Sequence, residues 1–563
     1  MTATNPHSSM QDLDALVVGA GFGGIYQLKK LRDQGLSAKL IDIAGDVGGT
    51  WYWNRYPGAM SDTQSFLYRY SWDLEDLRTY PWDTHYVYQP EVLKYLQHVT
   101  DRYDLRKDMH FNTAMEGADW DDTARRWVVH TSSGITFRAR YLVTALGLLS
   151  KQNLPDIAGI DSFKGEKYHT GAWPEHVELR GKRVGVIGNG STGVQVITAI
   201  AKEVKHLISF QRNPQYSVPS AQGPVSPEAR RDINERYEEI WREAVDESLF
   251  AFGFKETDRP TFSVDEEERR RIFEAAWQKG GGFRFMFETF GDITTDEAAN
   301  KAASDFIKAK ILATVKDPQK AKRLTPTQMY ARRPLCDSGY YEQFNRDNVD
   351  VVSLHETPIT HISPGGIVTQ DGKEHELDVI IFATGFDAVD GNYTRLIIKG
   401  RDGASLKDHW SEGPSSYLGV SVPSFPNMFM ILGPNGPFCN LPPAIESHVD
   451  FISDIIQANE STRKRTSEEE SLTRYDSAKG GFAGLEGTNT PVIEATSEAE
   501  QGWTDLCDQL SADSLFRKTD SWIFGANVPG KKVSVLFYFA GLSAYRKQLR
   551  EIAANGWTGF KIT

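Results

Sequence analysis

Twice in this chain a run of apolar residues ends in closely spaced glycines and passes into a helical pattern. The first occurrence is Asp14-Ala-Leu-Val-Val-Gly19-Ala-Gly21-Phe22-Gly23-Gly24, with a helix reading to about Gln34 and a second strand over Ala38-Lys-Leu-Ile-Asp42. The second is Arg183-Val-Gly-Val-Ile-Gly188-Asn-Gly190-Ser191-Thr192-Gly193, followed by its helix and the strand His206-Leu-Ile-Ser-Phe-Gln-Arg212. Glycine there lets backbone come close to a pyrophosphate, and the helix N-terminus offers it unpaired N–H groups and the positive end of a dipole. A lone glycine-rich turn says little, but two of them, each after a β run and opening a helix, are restrictive. They predict an α/β protein with two Rossmann-like dinucleotide-binding domains.

The two copies differ in the charge that ends their second strands. Asp42, 18 residues after Gly24, can accept hydrogen bonds from the ribose hydroxyls of an adenine dinucleotide. Arg212 stands at the matching place in the second copy, where a cation suits a 2′-phosphate and so favours NADPH over NADH.

At 563 residues the chain is too long for one hydrophobic core. Between about 222 and 330 charges crowd in (DEEERRR, KDPQKAKR) and strand signals fade, which predicts a helical insertion acting as a solvated cover without catalytic residues. Strand patterns return at Val349-Asp-Val-Val-Ser and Asp378-Val-Ile-Ile-Phe-Ala-Thr-Gly, before a glycine- and proline-rich stretch from Gly413 to Pro443. The polar stretch from Thr462 to Glu500 is expected to be a mobile surface excursion.

Several classes are disfavoured. A net charge of -13 argues against nucleic acid or an anionic membrane as the main partner. Three scattered cysteines make neither a metal cluster nor a redox pair. The polar N-terminus has no apolar signal core, and apolar runs such as ALVVGAGFGGI fall short of the roughly 20 residues a bilayer demands. A soluble, cytoplasmic monomer acting on a small molecule is expected.

Two longer patterns are more specific. Gly48-Gly49-Thr50-Trp51-Tyr-Trp53-Asn-Arg55-Tyr56-Pro57-Gly58-Ala-Met-Ser-Asp62 lies beyond the first glycine turn, and Phe163-Lys-Gly165-Glu-Lys-Tyr-His169-Thr-Gly-Ala-Trp173-Pro174 lies between the two copies. They resemble the GGxWxxxxYPGxxxD and FxGxxxHxxxW[P/D] fingerprints of type I Baeyer–Villiger monooxygenases. The segments Tyr330-Ala-Arg332-Arg333-Pro-Leu-Cys-Asp-Ser-Gly, Gly433-Pro-Asn-Gly-Pro-Phe438-Cys-Asn-Leu441-Pro-Pro and Ser521-Trp522-Ile-Phe-Gly-Ala-Asn-Val-Pro-Gly-Lys resemble the cyclohexanone monooxygenase branch of that family.

The resemblance implies FAD in the first domain, NADPH in the second, and oxygenation of a ketone, cyclic by the look of the Gly433–Pro443 loop, through a C4a-peroxyflavin. It implies Arg333 as the catalytic arginine and Asp62 as its carboxylate partner. Arg212 and Arg332 would hold the NADPH 2′-phosphate, Trp522 would lie near the nicotinamide ribose, and Phe438 and Leu441 would line the ketone pocket. Further cofactor contacts are implied at Gly19, Gly21, Phe22, Gly23, Gly24, Asp42, Gly49, Thr50, Trp51, Asp62, Tyr68 and Met115, and at Gly188, Gly190, Ser191, Thr192, Gly193, Gln195, Asn213 and Arg333. The chain departs from the family in Asp42, where glutamate is usual, in Arg332, often lysine, and in Asn213, commonly threonine. For His169 and Trp173, in the connection between the copies, a structural or domain-coupling role is expected rather than acid–base work.

The implied chain division is an FAD-binding domain over 1–150 and 387–563, an NADP-binding domain over 151–221 and 331–386, and the helical insertion over 222–330. Two rival readings remain at this stage. An N- or S-oxygenating flavin monooxygenase shares the paired folds but has no evident need of Arg333, and a non-catalytic flavin-binding sensor has no use for Asp62 and Arg333.

Overall fold

The computed structural model of the protein describes residues 10–473 and 491–563, with side chains omitted from 465 to 473. Two sheets carry the glycine turns. The first has eight strands, seven of them in the order Ile397–Lys399, Met115–Asp121, Arg126–Thr131, Thr136–Thr144, Met10–Val18, Ala38–Ile41, Met109–His110, with Met428–Met430 also paired to Thr136–Thr144. Met10–Val18 is central, parallel to both of its neighbours, and almost wholly buried at its C-terminal end, as a strand covered on both faces must be.

The second sheet runs Val349–Ser353, His206–Gln211, Arg183–Ile187, Val379–Phe382, Glu166–His169, all parallel. Each sheet therefore sets its glycine-turn strand between the strand that follows the helix and a third strand that arrives later in the chain. This is the doubly wound pattern expected from the two glycine turns, whose ligand crevice lies beyond the strand ends.

The same packing rule operates in both turns. Gly19 has φ +111°, and a Cβ there would stand 2.3 Å from the Ala145 carbonyl oxygen. Gly188 has φ +103°, and a Cβ would stand 2.4 Å from the Ala383 carbonyl oxygen. The first glycine of each turn is thus demanded by the neighbouring strand's exit. Gly190 is different: a Cβ there would meet no atom within 4 Å, so the fold itself does not demand glycine and the space in front of that turn is free for a ligand.

Between Ser217–Pro219 and Leu335–Asp337, which pair in parallel, stand six α-helices: Pro227–Glu235, Tyr237–Arg242, Glu266–Lys279, Gly282–Phe287, Glu297–Thr314 and Pro318–Leu324. Four of them open on a side-chain cap: Ser226, Asp265, Asp296 and Asp317 each accept a backbone N–H from the first turn. The acidic run after Asp265 puts three glutamates at the positive end of its helix dipole. The expected excursion over 462–500 is corrected in part. The helix Leu441–Thr473 runs on through its start, and Ile493–Ala495 is a strand paired with Phe560–Ile562; residues 474–490 lie outside the described residues.

The chain crosses from the first sheet to the second after Thr144 and returns after Phe382. These two crossings hydrogen-bond to each other as a short antiparallel ribbon, Phe386 opposite Gln152 and Asp387 opposite Lys151. On the outer side of the first sheet Trp127 is fully buried among Phe137, Leu142 and Met428, and its indole N–H donates to the Pro426 carbonyl at 2.7 Å. Trp127→Ala removes that packing and that bond, so it is expected to cost about 3–5 kcal/mol. Thermal unfolding of the variant should show a clearly lowered midpoint; an unchanged midpoint contradicts the assignment of Trp127 to the core.

Candidate functional site

Arg333 follows the insertion, on the approach to strand Leu335–Asp337. Its guanidinium pairs with the Asp62 carboxylate through Nη2, and its Nη1 donates to the Ser191 hydroxyl at 3.2 Å. The ring of Phe283 lies 5.1 Å below it. Side-chain exposures of 26% for Arg333 and 21% for Asp62 leave the pair reachable but mostly shielded. Asp62 closes the first long motif, Ser191 is the first residue of the second glycine-turn helix, and Phe283 belongs to the insertion. One cation thus joins three parts of the chain.

The two motifs also meet each other. The Trp173 N–H donates to the Trp53 carbonyl at 3.1 Å, and Arg55 pairs with Glu175 at 2.7 Å. Tyr56 donates to the Gln195 side chain at 2.8 Å, and Gln195 in turn donates to the Met60 carbonyl at 3.0 Å. The segment that delivers Asp62 is therefore docked on the helix that delivers Ser191. His169 is buried, with its Nδ1 accepting the Gly171 N–H at 3.0 Å and its ring set edge-on to Phe386 at 5.8 Å. Burial pushes its pKa down to about 4, against a smaller upward pull from the Gly385 backbone. It is a neutral imidazole away from Arg333, which suits the expected structural role better than proton transfer.

Around the first glycine turn, Phe22 and Trp51 each set an edge against Tyr68, with ring centres 5.6 Å apart in both cases, and the Trp51 indole donates to the Tyr68 hydroxyl at 3.2 Å. Asp42 follows the end of strand Ala38–Ile41 and is nearly buried. Its carboxylate accepts the Ala20 N–H at 2.5 Å and the Ala44 N–H at 2.7 Å. Burial raises its pKa, and those two N–H groups hold it down. Gly21, Gly23, Gly24, Gly49 and Thr50 belong to this turn and the short helix packed on it, and the buried Met115 opens strand Met115–Asp121.

The second turn presents Gly188, Gly190, Ser191, Thr192 and Gly193, with Arg212 and Asn213 just past the end of strand His206–Gln211. Arg212 is exposed, and Asn213 holds His355 at 2.8 Å. Arg332 has a buried Nε–H with no hydrogen-bond partner. Its guanidinium is pushed down chiefly by burial and also by nearby Arg212, with Asp520 opposing. Two cations crowded together with an orphaned N–H are what a phosphate would satisfy. The open space at Gly190 and this orphaned donor fit a phosphorylated dinucleotide.

A narrow cleft opens beside Asp62, walled by Gln64, Tyr86, Phe252, Phe254, Phe283 and Arg284. Phe252 and Phe283 stack with centroids 3.9 Å apart. The insertion thus supplies most of the wall, a correction to its reading as an inert cover. Phe438 is not on this cleft: it is buried among Phe250, Phe516, Phe537 and Phe539, with Leu441 at the start of the next helix. The closely spaced phenylalanines Phe250–Phe254 and Phe283–Phe287, set in a charged region, are the signal that could have found the wall. Trp522 opens a turn at Trp522–Phe524 and rests edge-on against Phe537. Among the described residues no cluster of His, Cys, Asp and Glu could hold a metal ion, and no helix is long and apolar enough to cross a membrane.

Comparison with known proteins follows from this geometry. The flavin-binding monooxygenase-like family model matches residues 14–220. A Baeyer–Villiger monooxygenase of Pseudooceanicola batsensis is 51% identical, covering 97% of this chain and 96% of its own. A phenazine N-monooxygenase of Lysobacter antibioticus is 50% identical over the same shares. The crystal structure of cyclohexanone monooxygenase from Rhodococcus sp. Phi1 bound to NADP+ superposes with a TM-score of 0.92 at 52% identity, covering 99% of this chain and all of that one.

The buried His169 generates a stability prediction. Its pKa is depressed in the folded protein, so from pH 6.5 down towards 4 the unfolded chain takes up a proton that the folded one refuses, and stability falls over that window. In His169→Gln the fall in unfolding midpoint across this range should be shallower than in the wild type; parallel profiles would refute the assignment.

Proposed function

The chain belongs to the Baeyer–Villiger monooxygenase family, and on that premise we propose that it uses FAD, NADPH and dioxygen to convert ketones, cyclic ones among them, into lactones or esters, with Arg333 and Asp62 at the reacting centre. FAD reduced by NADPH supplies dioxygen in an activated form. The side chains do the rest. The first glycine turn with Asp42, Thr50 and Trp51 would hold the flavin nucleotide, and the second turn with Arg212, Asn213 and Arg332 would hold NADPH by its 2′-phosphate. The cleft beside Asp62 would seat a ketone between the rings of Phe252, Phe254 and Phe283 and the polar side chains of Gln64, Tyr86 and Arg284.

Arg333 is a fixed cation where negative charge builds on the reacting oxygens. A guanidinium keeps its charge in a poorly solvated site better than an ammonium does. Asp62 neutralises and aims it before reaction, and Ser191 fixes the second nitrogen, so little reorganisation is left for the moment of bond formation. No strong base is required on the ketone, in keeping with the distance of His169 from this chemistry.

The observation carrying the proposal is this guanidinium, held by Asp62 and Ser191 at the mouth of an aromatic cleft. Arg333→Ala should lower the rate of lactone formation from cyclohexanone by about 10²–10³ while leaving bound flavin in place. Product analysis by gas chromatography on the flavin-loaded variant checks it, and near wild-type turnover overturns the role.

The phenazine N-monooxygenase relative keeps heteroatom oxygenation as a second reading. A nitrogen or sulfur attacks the activated oxygen with its own lone pair, so Arg333 is not needed for a developing anion. Wild-type preference for a phenazine or a sulfide over every ketone in a panel, with Arg333→Ala nearly neutral for it, would favour that reading.

Arg212 generates a cofactor prediction. A hydrogen bond to a charged group is worth about 1.5–3 kcal/mol, so Arg212→Ala should narrow the preference for NADPH over NADH by about 10- to 100-fold in kcat/KM. An unchanged ratio would remove Arg212 from the phosphate site. Three unpaired cysteines, two of them buried, suit a reducing compartment. The cytoplasm is such a compartment.

A further inference from the structure

The segment that carries Trp522 is fastened at both ends. At the start, the Thr519 hydroxyl donates to the Ala331 carbonyl at 2.6 Å, one residue before Arg332. After the single turn Trp522–Phe524, the stretch from 525 to 536 has neither helix nor strand. Its far end is held by Asn435, which donates to the Val535 and Leu536 carbonyls, and its middle is tied down by side chains. Asn527 donates to the Phe386 carbonyl at 2.9 Å. The Lys531 ammonium donates to Asp387 Oδ1 at 2.7 Å, to Asp390 Oδ1 at 2.5 Å and to the Ala388 carbonyl at 3.3 Å.

Three N–H donors thus meet three oxygens, which completes the hydrogen-bonding capacity of an ammonium. The side chains of Lys531, Asp387 and Asp390 are only 12–13% exposed. Lys151 takes the other oxygen of Asp387 at 2.9 Å, so two cations and two carboxylates balance within the cluster. Such a cluster is sensitive to deletion, because removing one cation leaves a shielded carboxylate unpaired.

The location gives the cluster its meaning. Phe386 and Asp387 form half of the ribbon in which the two crossings between the dinucleotide domains pair with each other. His169 of the second motif packs edge-on against the same Phe386. The Trp522 segment is therefore a strap from the backbone next to Arg332 and Arg333 to the joint between the two domains, and Lys531 is its fastening at the joint.

Resting on the monooxygenase reading above, we propose that Lys531 is a positioning residue that locks the Trp522 strap to the joint and so keeps NADPH seated while oxygen is transferred. Its ammonium contacts are Asp387, Asp390 and the Ala388 carbonyl. Its action passes through Asn527, Trp522 and the Ala331–Arg333 backbone. A polar side chain that merely solubilised a loop would not be buried between two carboxylates of the joint.

The test compares flavin-loaded wild type, Lys531→Met, and the double variant Lys531→Met/Asp390→Asn, the last removing the carboxylate that the missing ammonium leaves unpaired. KM for NADPH, kcat, lactone formed per NADPH oxidised, and amide hydrogen exchange over 520–533 are measured. Loss of the tether should raise KM for NADPH by about tenfold, the equivalent of a charged hydrogen bond, with a smaller change in kcat. It should also lower lactone per NADPH and speed exchange in the strap, in the single and double variants alike. Wild-type KM and coupling in Lys531→Met overturn the proposal, and so does their restoration in the double variant, which would trace the defect to stranded charge rather than a lost tether. Should the single variant fail to fold, the double variant carries the same comparison. Absence of lactone from wild type itself would sink the monooxygenase reading instead, while exchange in the strap still judges the fastening.

Discussion

The rest of the site depends on one buried-side ion pair, Arg333 with Asp62. A cation in a shielded cleft is costly unless it is paired, and its partners here come from three distant stretches: Asp62 after the first glycine turn, Ser191 at the start of the second turn's helix, and Phe283 from the insertion. None of these contacts can form until the two domains and the insertion are docked. Assembly and chemistry are consequently one problem, and much of what the long motifs encode is docking. Trp53 with Trp173 and Tyr56 with Gln195 are contacts across the seam, and their strictness in sequence follows from the need to deliver a carboxylate to a guanidinium within hydrogen-bond reach.

The paired dinucleotide folds were readable from sequence because their demands are local. The first glycine of each turn collides with a neighbouring carbonyl if given a side chain, and it does so in both copies. The sequence pattern carries the second strands through Asp42 and Arg212, whereas in the structure they end one residue earlier, at Ile41 and Gln211.

Less could be read where the partner of a surface, rather than its character, decides the outcome. Charge in the insertion correctly signalled helices, yet periodicity tells which face is buried and not against what. Phe252 and Phe283 therefore came to wall the cleft, while Phe438, picked out by resemblance, lies in a neighbouring aromatic cluster. Similarly, the polarity after Thr462 reads as a loop, although a helix anchored in the core extends through it as far as Thr473. The Tyr141 hydroxyl and the Arg140 guanidinium, both donating to Glu460, hold the buried part of that helix, and no local signal announces a contact to residues more than 300 positions away.

The pairing of the two interdomain crossings narrows what motion the molecule can have. Two unconnected linkers would let one domain translate and twist freely against the other; a hydrogen-bonded ribbon leaves a pivot near Gln152 and Phe386. A pivot conserves distances close to it and amplifies displacement far from it. His169 and the Lys531 cluster sit at the pivot, whereas the Arg333 pair and the adjoining Arg332 stand at the crevice beside the second glycine turn. Groups at the pivot can accordingly be rigid and neutral overall, as they are. At the crevice stand instead a guanidinium with several donors and the stacked rings of Phe252 and Phe283. The strap through Trp522 spans from one region to the other, so any rotation at the joint is felt at Ala331, and with it at the two arginines that follow.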